Sequence, residues 1–261
     1  MAFDFSGKRV VVAGGSRGIG RAIALNFAAA GADVSICARG AAALEEARAA
    51  IAAHGHRVHA DTCDLADADA IARYVPAAAA ALGGIDVLVN NASGFGMSDD
   101  EAGWAACLSV DVMAMVRCSK AALPWLQQAG AGGGPHGGAA GASIVHISSI
   151  SALRPSTRSA PYAAAKAAMN SYTGSQAAML CRQGIRVNAI APGSIEFPGG
   201  LWEQRKTDAP ALYERTLKSI PFGRMGTPDE IAEVALFLAS PHARWVTGQV
   251  ITVDGGQLLG V

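Results

Sequence analysis

The sequence predicts an α/β architecture: a doubly wound parallel sheet with helices on both faces, forming one domain over residues 1–261. Three observations carry this. Short apolar runs alternate with longer helix-patterned ones along the chain. The short runs are almost continuously apolar, as strands buried on both faces are. The first of them runs straight into AGGSRGIG, Ala13 to Gly20, a glycine turn of the kind that joins a strand to a helix.

The elements follow in order. RVVVAG is the first strand, and GRAIALNFAAAG is a helix that stops at Gly31. DVSICAR, RVHADTCDL and IDVLVNN are the next three strands, separated by the helices AAALEEARAAIAAHG and ADADAIARYVPAAAAALG. The run from Trp104 to Gln128 is largely helical and leads to the strand ASIVHISS. The helix APYAAAKAAMNSYTGSQAAMLC, the strand IRVNAIAPG, the helix TPDEIAEVALFLAS and the strand QVITVDGG complete the chain. Strands separated by helices require right-handed crossovers, hence a parallel sheet. Two segments break the alternation. Residues 129–142 form a Gly/Ala-rich linker expected to be flexible. Residues 194–225 are too long for an ordinary connection and are expected to be a substrate lid.

Composition narrows the partners. The 21 Lys and Arg balance the 21 Asp and Glu, so no net field favours nucleic acid or an anionic membrane. Neither a signal-peptide pattern nor an apolar run of spanning length is read, and the expected location is the cytoplasm. The five cysteines lie far apart without a C-x-x-C pair, which points to reduced thiols. His54, His56 and His59 fall close together, but the run crosses from a helix end into a strand, so the rings should diverge and no metal is expected.

The glycine turn opens a helix, so free N–H groups and the helix dipole would face an anion such as a pyrophosphate. Its spacing, G-x-x-x-G-x-G, differs from the common G-x-G-x-x-G pattern. At the end of the second strand, where NAD-preferring folds place an acid on the ribose, the chain reads CARG. Ala38 removes the acid, while Arg39 and Arg17 supply guanidinium groups suited to a 2′-phosphate. The expected cofactor is therefore NADP(H).

Taken with NNASG (Asn90 to Gly94), ISS (Ile147 to Ser149), YAAAK (Tyr162 to Lys166), APG (Ala191 to Gly193) and the closing TGQVITVDGG, the chain resembles the short-chain dehydrogenase/reductase family over essentially its whole length. The resemblance implies a Rossmann-type fold and a reversible reduction of a ketone or 3-oxoacyl carbonyl to a secondary alcohol. It implies a cofactor site at Gly14, Ser16, Arg17, Gly18, Ile19, Gly20, Arg39, Asp64, Leu65, Asn91, Ala92, Ser93, Pro192, Gly193 and Ile195, with Tyr162 and Lys166 adjoining it. It also implies a homotetramer built from the Trp104–Gln128 region, the Tyr162 helix and the last strand.

The implied chemistry is physically sound. Tyr162 and Lys166 are four residues apart and share a helix face. An ammonium beside the phenol, and a positively charged oxidised nicotinamide, would favour the phenolate. Tyr162 would then pass a proton to or from the substrate oxygen, which Ser149 would also hold. Ser148 is the neighbouring candidate, and the family's spacing favours Ser149. Asp111 departs from the family pattern, which has asparagine there. It is expected to be the water-holding group of the relay and to pair with Lys166, completing the catalytic set Ser149, Tyr162, Lys166 and Asp111. Phe197 stands where a threonine often meets the cofactor; a backbone contact at Ile195 would survive this change. Phe197, Leu201, Trp202 and Tyr213, with Phe95 and Met97, point to an apolar pocket for a small carbonyl or alcohol substrate. Two other readings stay open: a dienoyl-thioester reductase on the same fold, and a non-catalytic NADP(H) sensor.

Overall fold

A computed structural model describes residues 3–131 and 141–260. Its centre is a seven-stranded, wholly parallel sheet in the order β3-β2-β1-β4-β5-β6-β7. The strands are β1 Arg9–Ala13, β2 Asp33–Ala38, β3 Val58–Thr62, β4 Val87–Asn90, β5 Ala142–Ile147, β6 Ile185–Pro192 and β7 Val250–Val253. The main crossover helices are α1 Gly18–Ala29, α2 Ala41–Ala52, α3 Ala68–Leu82, α4 Glu101–Ala106 running into α5 Met115–Ala131, and α6 Ala160–Leu180. Two short helices, α7 Leu201–Asp208 and α8 Pro210–Lys218, precede α9 Pro228–Ala239.

The period of two along a strand sends alternate side chains to opposite faces. Val10 and Val12 therefore join Ile23 and Phe27 of α1 and Ile231 and Ala235 of α9 in one core layer. Val11 and Ala13 join Ile71 and Val75 of α3, Leu126 of α5 and Leu180 of α6 in the other. Both layers are needed because a parallel sheet cannot leave a face in water. Asp86 fastens the start of β4 to β1: its carboxylate accepts hydrogen bonds from Arg9 N at 2.9 Å, Nε at 2.6 Å and Nη2 at 3.0 Å.

Strand order reverses between β1 and β4, which pair with each other while their crossovers leave in opposite directions. Their carboxyl ends, Ala13 opposite Asn90, thus open a crevice where such sheets bind ligands.

The structure corrects the sequence reading in three places. β3 is not continuously buried: Asp61 and Thr62 are exposed, because an edge strand has a neighbour on one side only. The helical run around Asp111 is interrupted by a π-helical stretch, Cys107–Ala114, which bulges by the wider i→i+5 spacing. The 194–225 segment is largely helical rather than loop, through α7 and α8. Most of the Gly/Ala-rich linker, residues 132–140, lies outside the described residues.

Candidate active site

The crevice is floored by the glycine turn. Gly14 takes φ +90°, and a side chain there would lie 3.1 Å from Ala92. At Gly20 an added Cβ would stand 2.0 Å from the Gly14 carbonyl and 2.4 Å from Asn91 Nδ2. Bare backbone lets the turn close, and Asn91 Nδ2 locks it by donating to Gly14 O at 2.7 Å. Arg17 is the extended residue before α1, no side chain caps the helix, and its first turn holds no acid. Its leading N–H groups and dipole are thus directed at the crevice without a protein partner, a fit for a dinucleotide pyrophosphate. Arg17 and Arg39 are exposed, and neither is in an ion pair among the described residues. Ser16 and Ile19 are partly buried in the same turn.

The remaining residues read from the sequence flank this turn. Ala38 O accepts from Cys63 N at 3.0 Å, which sets the Cys63–Leu65 turn beside the end of β2. Leu65 is buried, whereas the exposed Asp64 carboxylate accepts from Ala66 N at 3.0 Å. Ser93 Oγ accepts from Phe95 N at 3.2 Å. Pro192 ends β6, and Gly193 donates to Val253 O at 2.9 Å. Ile195 forms a parallel bridge with Gly226 through Ser194 O and Glu196 N, which leaves its own amide out of that pairing.

The second half of the site stands on β5, α6 and the π-helical stretch. Helical spacing puts Tyr162 and Lys166 together, with Lys166 Nζ 5.7 Å from the centre of the tyrosine ring. Lys166 is buried; its ammonium donates to Ile147 O at 2.7 Å and stands 3.0 Å from Asp111 Oδ1, an ion-pair distance without hydrogen-bond alignment. Asp111, itself fully buried, accepts from Gly94 N at 2.9 Å through Oδ2. Asn90 and Asp111 line a small cavity, about the size that one water fills. Of the two serines, Ser148 donates to Lys166 O at 3.4 Å, whereas Ser149 Oγ accepts from Ser151 N at 3.1 Å and its hydroxyl lowers the pKa of the Tyr162 phenol.

Opposing influences act on the Tyr162 phenol. Burial pushes the Tyr162 phenol above its ordinary pKa; Lys166 and Ser149 pull it back, and Asp111 adds to the rise. In the protein alone the phenol is therefore held protonated, rather than drawn toward phenolate as the ammonium by itself would do. Burial pulls the Lys166 ammonium down, but Asp111 and Tyr162 outweigh it and leave its pKa raised. The lysine stays charged.

The apolar pocket read from the sequence dissolves in part. Tyr213 Oη donates to Glu196 Oε2 at 2.6 Å, Lys206 pairs with the same carboxylate, and Trp202 lies 5.9 Å from the Arg205 guanidinium. These contacts tie the 194–225 segment to itself. Phe197 packs against Gly18, which would place an added Cβ 2.5 Å from the ring. Phe95 lies on the reacting side, its ring 5.9 Å from that of Tyr162 and 9° from parallel. Sequence reasoning missed the Ile147 carbonyl and the Gly94 amide, since backbone groups carry no residue signature. Among the described residues no cluster of three His, Cys, Asp or Glu could hold a metal, and no helix is long and apolar enough to cross a membrane.

A dinucleotide crevice beside a Tyr-Lys-Ser cluster defines an oxidoreductase, and comparison with known proteins agrees. Residues 13–257 match the family model described as enoyl-(acyl carrier protein) reductase. Isoepoxydon dehydrogenase patN of Aspergillus clavatus is 37% identical over 265 residues, covering 100% of this chain and 98% of the relative. L-sorbose reductase of Gluconobacter frateurii, solved with NADPH and L-sorbose, superposes with TM-score 0.87 at 30% identity, covering 100% of both chains. A 7α-hydroxysteroid dehydrogenase solved with NADH and 7-oxo glycochenodeoxycholic acid gives TM-score 0.88 at 31% identity, covering 98% of this chain and 96% of that one. The chain belongs to the short-chain dehydrogenase/reductase family. Its chemistry is nicotinamide-dependent redox of alcohol and carbonyl groups.

Proposed function

We propose that the protein is an NADP(H)-dependent reductase of ketone or 3-oxoacyl carbonyls, working reversibly as an alcohol dehydrogenase. The observation that carries this is the Tyr162 phenol, flanked by the Ser149 hydroxyl and the buried Lys166 ammonium, at the edge of the glycine-turn crevice. The cofactor, when bound, supplies or accepts the hydride. The turn residues Gly14 to Gly20 would hold its pyrophosphate on backbone N–H groups, and Arg17 and Arg39 would meet the 2′-phosphate. Asp64, Leu65, Asn91, Ala92 and Ser93 border the adenine half, while Pro192, Gly193 and the Ile195 amide border the nicotinamide half. Ser149 positions the carbonyl oxygen by donating a hydrogen bond. Tyr162, held protonated by burial, delivers a proton to that oxygen as charge develops on it. Lys166 steadies the resulting phenolate, and its remaining N–H would hold the ribose of a bound cofactor.

Absorbance of NADPH, followed with small ketones, 3-oxoacyl thioesters and dienoyl thioesters, tests the reading. Oxidation of NADPH by either carbonyl class supports it. Turnover of dienoyl thioesters alone would replace it with the second reading, which draws support from the acid at Asp111 and the description of the matched family model. We place the protein in the cytoplasm as a homotetramer, a state supported by the exposed Leu108, Met113 and Met179 on the expected interface helices. Sedimentation at a single-chain mass would remove the tetramer.

A further inference from the structure

The loop after β4 contains a backbone oddity. Phe95 sits at φ +48°, and among the described residues it is the one non-glycine in the left-handed region. Side chains seldom adopt this conformation unless the surroundings impose it. Here they do. Phe95 N donates to Ser93 Oγ at 3.2 Å, and Gly94 N donates to Asp111 Oδ2 at 2.9 Å. Gly94 is pressed so closely on the end of α4 that an added Cβ would stand 2.3 Å from Ala106 O. The result is an aromatic ring laid parallel on Tyr162 while 54% of the residue faces solvent. Core packing does not demand this, because half of the side chain buries nothing. A strained backbone that offers a large apolar face beside a proton donor is what a ligand-facing residue requires.

We propose that Phe95 determines substrate specificity by lining the path to Tyr162, favouring carbonyl compounds that carry a flat ring or conjugated group, and that Asp111 is the positioning residue that holds it there. This rests on the reading of Tyr162 as proton donor. Asp111 suits the task because it has two acceptor oxygens. One faces the Lys166 ammonium at 3.0 Å and the other holds the Phe95 loop through Gly94. An asparagine has one acceptor oxygen and must turn its NH₂ toward one of these two donors. A single carboxylate therefore ties the substrate wall to the lysine beneath the reacting phenol.

The test compares kcat/KM for an aryl methyl ketone and for butan-2-one, with NADPH, in the unmodified protein, Phe95→Ala, Phe95→Tyr, Asp111→Asn and the Phe95→Ala/Asp111→Asn double variant. The aryl-to-alkyl ratio should fall about tenfold in Phe95→Ala, as expected for a lost aromatic pair. It should fall similarly in Asp111→Asn, and no further in the double variant than in Phe95→Ala, because the two act through one element. Phe95→Tyr should retain the ratio. The melting temperature of Phe95→Gly should be no lower than that of the unmodified protein, since glycine relieves the left-handed strain. A difference titration of tyrosine absorbance against Tyr162→Phe supplies a readout independent of turnover: in Phe95→Ala the phenol gains water and should ionise at lower pH. An unchanged ratio in Phe95→Ala would overturn the role of Phe95, and additive losses in the double variant would overturn that of Asp111. Full turnover in Tyr162→Phe would instead remove the underlying reading, and this proposal with it.

Discussion

Replacing Asp111 by asparagine should make alcohol oxidation easier at lower pH. Oxidation needs Tyr162 as phenolate, and burial, with Asp111 adding to it, raises the phenol's pKa. The size of the Asp111 contribution follows from geometry. Asp111 Oδ1 is 3.0 Å from Lys166 Nζ, which is 5.7 Å from the tyrosine ring centre, so carboxylate and ring are no more than about 9 Å apart. At an effective dielectric constant of about 20, two unit charges at that separation interact by about 2 kcal/mol. Removing the negative charge therefore favours ionisation by a factor of ten or more, by about 1.4 kcal/mol per decade. Lys166 loses its counter-charge at the same time, and burial then weakens its ammonium, which trims the gain. The net expectation is about a tenfold faster oxidation on the acid limb, with the profile moved toward lower pH by about one unit. The assay is the pH–rate profile of both proteins with saturating NADP and a secondary alcohol. An unchanged profile at an unchanged rate would show that Asp111 is no part of the relay.

Three further outcomes are expected. Ala38→Asp combined with Arg39→Gln should shift preference from NADPH toward NADH by tenfold or more, since a charge-assisted phosphate contact contributes about 1.5–3 kcal/mol; equal kcat/KM for both cofactors in the unmodified protein would refute the assignment. Tyr162→Phe should bind NADPH nearly as well, by fluorescence titration, while losing most turnover, whereas Lys166→Ala should lose both. Asp86→Ala removes three hydrogen bonds to Arg9 and should lower stability by about 2–3 kcal/mol in urea unfolding, with the active-site titration unaltered.

How far the sequence could be read depended on what each signal encodes. Valine and isoleucine runs report burial, so the strands emerged nearly in place, and β3 was over-read because an edge strand keeps the same residue types with less cover. The Tyr162–Lys166 pair was legible because helical spacing is a local property. Ser149 and Ser148 could be separated only by seeing which hydroxyl acts on the phenol and which bonds Lys166 O. The π-helical stretch was not legible, because its composition is ordinary; the contacts that Asp111 makes within it, to the Gly94 amide and the Lys166 ammonium, come from distant parts of the chain. The aromatic character of Tyr213 and Trp202 alone suggests a pocket, yet nearby charged residues, Glu196 and Arg205, engage them within the 194–225 segment. Phe95 was named for its apolarity, while its left-handed backbone, the more informative property, has no sequence mark.

The Phe197 ring lies between two glycines far apart in the chain: an added Cβ would stand 2.5 Å from it at Gly18 and 3.0 Å at Gly200. Anyone transplanting a foreign 194–225 segment onto this body, or exchanging the glycine turn to retarget the cofactor, meets that three-residue lock. A bulkier residue at Gly18 would be refused by the Phe197 ring even if the dinucleotide tolerated it. A smaller residue at 197 would leave a hollow against both glycines. Engineering libraries that vary the turn and residues 194–200 separately should therefore return mostly inactive chains, and those that vary them jointly should recover function.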